Sequence, residues 1–187
     1  MKILVIDNYD SFTYNLVRLL ETDKSKVAVK RNDEINIQEI IELEPEKILI
    51  SPGPGRPENA GISSKVVKKL GGKIPVLGVC LGHQVIAEVF GAKIINANPV
   101  HGKTSEIIHD GKTIFKNISQ NFAAMRYHSL IVDIKNLPEK LEISAKTKNG
   151  IIMGLRHKSK PIESIQFHPE SILTEAGKDI LHNWLMM

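Results

Sequence analysis

The chain has a single cysteine, Cys80, so no internal disulfide can form and that thiol is either packed or reactive. Aromatic residues make up only 5% of its 187 residues and the lysines are scattered. The net charge of +4 is therefore not gathered into the basic, aromatic-interleaved stripe of a nucleic-acid binder, and it reads as a solvated surface. No apolar run approaches the ~18–20 residues that a membrane-crossing helix needs. Near the start, residues 3–6 are apolar but Asp7 ends the run, and no small-residue cleavage site follows. No signal peptide is expected, and the expected location is the cytoplasm, or the plastid stroma for an organelle-encoded chain. Gly-x-Gly-x-x-Gly, a Gly-Lys-Ser/Thr phosphate loop, Cys-x-x-Cys, His-x-x-x-His and His-Glu-x-x-His are all missing. Neither a metal nor a cofactor is expected.

What is present is ordinary globular material, with 42% apolar and 25% charged residues in a chain long enough to bury a core as one domain. The first half alternates strand-like and helix-like segments: strands at residues 2–6, 27–30, 47–50 and 75–79, with helices at 13–20, 37–43 and 63–70 and another from 84 to 90. Such βαβ alternation predicts an α/β fold with a mainly parallel, doubly wound (flavodoxin-like) sheet flanked by helices. After Gly91 the texture changes. Short alternating segments at 93–96, 105–108, 130–134, 142–147 and 151–155 predict additional antiparallel strands, with Asn149-Gly150 as a hairpin signal between the last two. Residues 176–185 predict a closing helix. No repeat, low-complexity tract or linker divides the chain.

The most informative segment is Gly78-Val79-Cys80-Leu81-Gly82 at a predicted strand–helix junction. It is the thiol counterpart of the Gly-x-Ser-x-Gly elbow, in which flanking glycines permit a sharp turn that holds the nucleophile out. The following helix points its positive end and free N–H groups at the sulfur, favouring thiolate, and the Leu81 N–H is placed to donate to an oxyanion. A lone cysteine is by default a buried strand-end residue; the two glycines at this spacing reverse that judgement.

A thiolate attacking an amide needs a group to manage the leaving nitrogen's proton. His168 and Glu170, in Gln166-Phe167-His168-Pro169-Glu170-Ser171, point to the same side of an extended stretch, and Pro169 biases His168 towards that geometry. A carboxylate there orients the imidazole and stabilises its charged form. The sequence leaves His83 and His128 open as alternatives. His168 is favoured because His83 sits in the first helical turn without an acid nearby. Ser51-Pro52-Gly53-Pro54-Gly55 follows a strand, where ligand sites gather in α/β sheets. Beside its bland reading as a plain turn, the loop offers the Gly53 N–H as a second oxyanion donor.

With these pieces placed, the sequence closely resembles the class I glutamine amidotransferases. Within them it is similar to the branch that serves chorismate-using synthases, the glutaminase subunits of anthranilate synthase and aminodeoxychorismate synthase. The matching segments are Asp7-Asn8-Tyr9-Asp10-Ser11-Phe12-Thr13-Tyr14-Asn15, residues 51–55, residues 78–84, His101-Gly102-Lys103-Thr104-Ser105, Arg126-Tyr127-His128-Ser129-Leu130 and residues 166–172. They occur in the expected order, and the first of them points to the chorismate-using branch. Val100 stands where a methionine is frequent, a conservative swap.

The resemblance implies one glutamine amidotransferase domain over residues 1–187 and the catalytic triad Cys80, His168 and Glu170. It implies oxyanion donors from Gly53 and Leu81, and a glutamine site lined by Gly53, Pro54, Gly55, Gln84, Ser129 and Leu130. The implied reaction is hydrolysis of L-glutamine through a Cys80 thioester. Ammonia would pass to a chorismate-using synthase partner, either component I of anthranilate synthase (tryptophan biosynthesis) or its aminodeoxychorismate counterpart (folate biosynthesis). Residues 101–105 and 10–14 are candidate contact surfaces. A partner-independent Cys–His peptidase or γ-glutamyl hydrolase, and a non-catalytic flavodoxin-like module, are the rival classes; the intact triad and Gln84 argue against both.

Overall fold

The structure is a computed structural model that describes residues 1–187. One nine-stranded sheet runs through it in the order β2-β1-β3-β4-β9-β8-β7-β5-β6. The parallel part comprises β1 (Lys2–Asp7), β2 (Lys26–Arg31), β3 (Lys47–Ile50), β4 (Val76–Val79) and β9 (Ile162–Ile165). The antiparallel extension comprises β8 (Ile152–His157), β7 (Leu141–Thr147), β5 (Ile94–His109) and β6 (Phe122–Val132). The helices are α1 (Thr13–Leu20), α2 (Ile37–Glu42), α3 (Ser63–Leu70), α4 (Leu81–Val89) and α5 (Gly177–Leu185).

Successive strand residues face opposite sides of a sheet, and here both sides are covered. Ile3 and Val5 of β1 pack with Leu16, Val17 and Leu20 of α1 and with Ile180, Leu181 and Trp184 of α5. Leu4 and Ile6 pack on the other side with Ile40 of α2, Val66, Val67 and Leu70 of α3, and Val85 and Ile86 of α4. β3 and β4 are buried along their whole length, which is why they read as continuous apolar runs. The parallel strands follow a flavodoxin-like order, in keeping with the fold class the sequence predicts.

The second half departs from expectation in detail. The segments 93–96 and 105–108, separate strands by their sequence pattern, are the two ends of the single 16-residue β5. Register shifts interrupt its pairing with β6 between Asn96/Val100 and His101/Lys103, and Gly102 sits at φ 64° within the bulge. β6 begins at Phe122, well before the predicted residue 130, and β9 has no counterpart among the predicted strands. That short strand carries Glu163, which pairs with Arg156 of β8 at 2.7 Å, so a residue suited to a loop lies buried in the sheet. No helix is long and apolar enough to cross a membrane.

Candidate active site

The site forms at the carboxyl ends of β3, β4 and β9. Cys80 follows β4 directly and precedes α4, with φ 51° and ψ −98°, a backbone that non-glycine residues rarely adopt. Its N–H is tied to the Ile165 carbonyl at 2.9 Å, which holds the bend against its strain. The glycines on either side are needed for close approach. A Cβ on Gly78 would lie 2.4 Å from the Gly82 carbonyl oxygen, and one on Gly82 would lie 2.4 Å from that of Ile50. Leu81, the first residue of α4, has an N–H with no acceptor inside the helix.

His168 and Glu170 leave the end of β9. The His168 N–H donates to the Met125 carbonyl, and Thr174 Oγ1 donates to the His168 carbonyl at 2.6 Å, so the backbone of this turn is fixed. His168 Nδ1–H donates to Glu170 Oε1 at 2.5 Å, with both side chains almost fully buried. Tyr127 packs edge-on against the imidazole, with ring centroids 5.3 Å apart. His168 Nε2 has no hydrogen-bond partner of good geometry, yet Cys80 is near enough to act on the ring's titration. Burial alone would lower the imidazolium. Hydrogen bonding and charge from Cys80 and Glu170 outweigh it, and the pKa is raised to about 10.

The other two histidines left open by the sequence are arranged differently. His83 is fully buried, donates from Nδ1 to Ser164 Oγ at 2.9 Å and is pushed down to about 3 by burial. Both ring nitrogens of His128 are taken: Nδ1–H donates to the Leu130 carbonyl and Nε2 accepts from Arg126 Nε. Burial, then the Arg126 charge, depress His128 to about 4, so it is a neutral spacer. Only His168 combines a carboxylate partner with an unpaired nitrogen beside the thiol.

A cavity of about 160 Å³ opens over Cys80 and Leu81, and Gly53, Pro54, Gly55, Gln84, Ser129 and Leu130 all line it. The Gly53 loop is held by Asn8, whose N–H donates to Ser51 Oγ at 2.8 Å and whose side chain donates to the Ser51 carbonyl at 2.9 Å. A Cβ on Gly53 would meet the Asn8 carbonyl oxygen at 2.5 Å, so only glycine fits. The Gly53 N–H donates to no protein acceptor. His101, Tyr127 and His128 complete the wall. Tyr127 also lines a second hollow of about 510 Å³ with Phe12, Arg18 and Glu170, so it borders both. No group of three or more His, Cys, Asp or Glu side chains is placed to hold a metal ion.

Sequence reasoning misses three neighbours. Gln166 donates from Nε2 to Cys80 Sγ at 3.6 Å; its sequence signals are its place at the head of the matched segment 166–172 and an amide between the apolar Ile165 and Phe167. Tyr127 stands out in the sequence only as part of a motif. Asp10, expected on a contact surface, lies within electrostatic reach of His168 and Glu170, and burial raises its carboxyl above the ordinary range.

Comparison with known proteins shows the family and the fold. The family model for glutamine amidotransferase class-I matches residues 4–187. The chain is 56% identical over 185 residues to anthranilate synthase component 2 of Cyanophora paradoxa, covering 98% of this chain and 97% of that one. It is 55% identical over 184 residues to aminodeoxychorismate/anthranilate synthase component 2 of Bacillus subtilis, covering 98% and 95%. Against the bifunctional protein TrpGD of Thermotoga maritima, 55% identical over 188 residues, the match takes in 98% of this chain but only 32% of the relative. Among solved structures, a putative GMP synthase subunit from Thermoplasma acidophilum matches with a TM-score of 0.87 at 26% identity, covering 100% of this chain and 92% of that one.

Proposed function

The chain belongs to the class I glutamine amidotransferases, and from that premise we propose that it hydrolyses L-glutamine on Cys80 and hands the ammonia to a chorismate-using synthase. The Cys80 thiolate attacks the side-chain amide carbon, and the Gly53 and Leu81 N–H groups receive the developing oxyanion. His168, kept as imidazolium by its partners, gives its proton to the departing nitrogen, and ammonia leaves a γ-glutamyl thioester. The now neutral imidazole takes a proton from water, which attacks the thioester, releases glutamate and restores the thiolate–imidazolium pair. Glu170 holds the ring and its charge throughout. Gly53, Pro54, Gly55, Gln84, Ser129 and Leu130 bind the substrate, in keeping with their place around the cavity.

The observation that carries this reading is a thiol in a strained elbow, which lines the cavity with Gln84 and the Gly53 loop and stands beside a buried His168–Glu170 pair. The recipient is component I of anthranilate synthase, by kinship with relatives named as its component 2. A second reading, use by aminodeoxychorismate synthase or by both, is favoured by the double name of the Bacillus subtilis relative. Reconstitution with each synthase and identification of the aromatic product separates the two. The continuous sheet and the family match support residues 1–187 as one domain.

Cys80→Ala in the reconstituted complex is expected to abolish glutamine-dependent product formation and spare formation driven by added ammonia. Release of glutamate by that variant at the wild-type rate would refute the assignment.

A further inference from the structure

We infer that Gln166 is a further catalytic residue, one that contacts the nucleophile and, together with the Leu130 carbonyl, holds the Gln84 amide above it. The inference rests on Cys80 being the nucleophile, as proposed above. Gln84 Nε2 lies 3.2 Å from the Leu130 carbonyl oxygen and 3.1 Å from Gln166 Oε1. A backbone carbonyl only accepts, so the amide nitrogen of Gln84 must face it. The Gln166 atom that meets the same nitrogen must then be its oxygen, and the Gln166 nitrogen is turned to Cys80 Sγ at 3.6 Å. Donor direction thus runs one way along the chain, and no amide in it can flip without setting two like groups against each other.

Two consequences follow for the reaction. Gln84 Oε1 makes no hydrogen bond within the protein and belongs to a cavity-lining residue, where it can accept from a substrate N–H. The Gln166 N–H is directed at the sulfur where negative charge resides in the thiolate and in the state after thioester cleavage. Gln166 is fully buried and its backbone N–H is held by the Met153 carbonyl at 2.9 Å. Water therefore does not compete for the sulfur from that side, and the donor costs no reorganisation during turnover.

Two substitutions separate these roles, assayed in the reconstituted complex. Gln166→Met keeps the bulk and removes both polar contacts. It is expected to lower kcat and the rate of alkylation at Cys80 by diazo-oxo-norleucine about tenfold or more near neutral pH, and to raise KM. Gln166→Glu keeps an acceptor for Gln84 but donates to sulfur only while its carboxyl is protonated. KM is expected to stay within about threefold of wild type while kcat climbs as pH is lowered. A merely structural role would depress melting temperature in both variants without that pH signature. Ammonia-driven activity reports that the complex is intact. Wild-type kcat, KM and alkylation in both variants overturn the role of Gln166 and leave the nucleophile standing. A wild-type enzyme that turns over glutamine yet is not alkylated at Cys80 overturns the nucleophile and this inference together.

Discussion

Glu170→Gln isolates what the carboxylate contributes to His168. The substitution keeps size and a hydrogen-bond acceptor for Nδ1–H but removes a buried negative charge 2.5 Å from the ring. Glu170 Oε2 has no other partner and both side chains are nearly dry, so neither solvent nor a second group replaces the lost charge. In the wild type, burial pulls His168 down and the partners lift it to about 10; with Glu170 neutral its charge no longer opposes burial, which leaves Cys80 and the retained Nδ1–H hydrogen bond to do so. The imidazolium should then lose its proton at lower pH than in the wild type, so that less of it is present near pH 7–8 to protonate the departing nitrogen. The expected loss in kcat is about a hundredfold or more, the range of general acid–base catalysis, with the remaining activity increasing towards pH 6. Stability follows the same sign. A histidine with a raised folded pKa stabilises fully below its ordinary 6.5, and that contribution fades as pH rises towards 10. Breaking a buried pair costs about 3–5 kcal/mol, and the retained hydrogen bond argues for the lower end. The gap in unfolding free energy between wild type and variant should be largest at or below pH 6.5 and should narrow towards pH 10. Glutaminase kcat from pH 6 to 9 and urea unfolding over the wider range test both. A kcat within twofold of wild type and a stability gap independent of pH would refute the reasoning.

Arg156→Met removes the cation that meets Asp110 at 2.6 Å, Glu142 at 3.0 Å and the buried Glu163 at 2.7 Å, so a loss of about 3–5 kcal/mol is expected in urea unfolding. Adding Glu163→Leu to it should recover much of that loss; no recovery counts against the stranded-charge account. Gly82→Ala forces a Cβ to within 2.4 Å of the Ile50 carbonyl and should cost about 1–3 kcal/mol and most of the glutaminase activity, read by thermal melts and turnover. Gly111→Ala, at φ 72° with open space around it, serves as the contrast: it should cost about 1 kcal/mol and leave turnover unchanged. Diazo-oxo-norleucine should add a single label, located by mass spectrometry at Cys80 and prevented by excess glutamine; a label elsewhere disproves the elbow's reactivity.

The first four parallel strands and the helices between them were legible because their signals are local. Helices at Thr13–Leu20 and Ser63–Leu70 and the strand at Lys47–Ile50 fall at the residues expected, since each carries its own period or apolar run and a clear stop. β5 was not legible as one strand because it is exposed over much of its length and bulged, so inward and outward residues do not alternate and Gly102 reads as a terminator. β9 escaped because it has only four residues and includes Glu163, whose burial depends on Arg156 in another strand.

The site divides along the same line. Cys80 was readable because the elbow is a backbone constraint, and a constraint on φ, ψ and close approach is written in the residues beside it, Gly78 and Gly82. His168 and Glu170 were readable as a pair because they stand two residues apart, although a turn closed by the Ser171 N–H on the His168 carbonyl, and not the extended stretch the sequence suggests, brings them together. Gln166 is close in sequence to that pair, yet its bond to Cys80 joins residues 86 apart, and only the parallel pairing of β4 with β9 makes them neighbours. That pairing also ties the Cys80 N–H to Ile165 and so holds the strained bend. The same two strands therefore stabilise an unfavourable backbone and deliver the imidazole, the carboxylate and the amide to the sulfur it presents. Local sequence names the residue that is strained; the register between β4 and β9 decides what the strained residue meets.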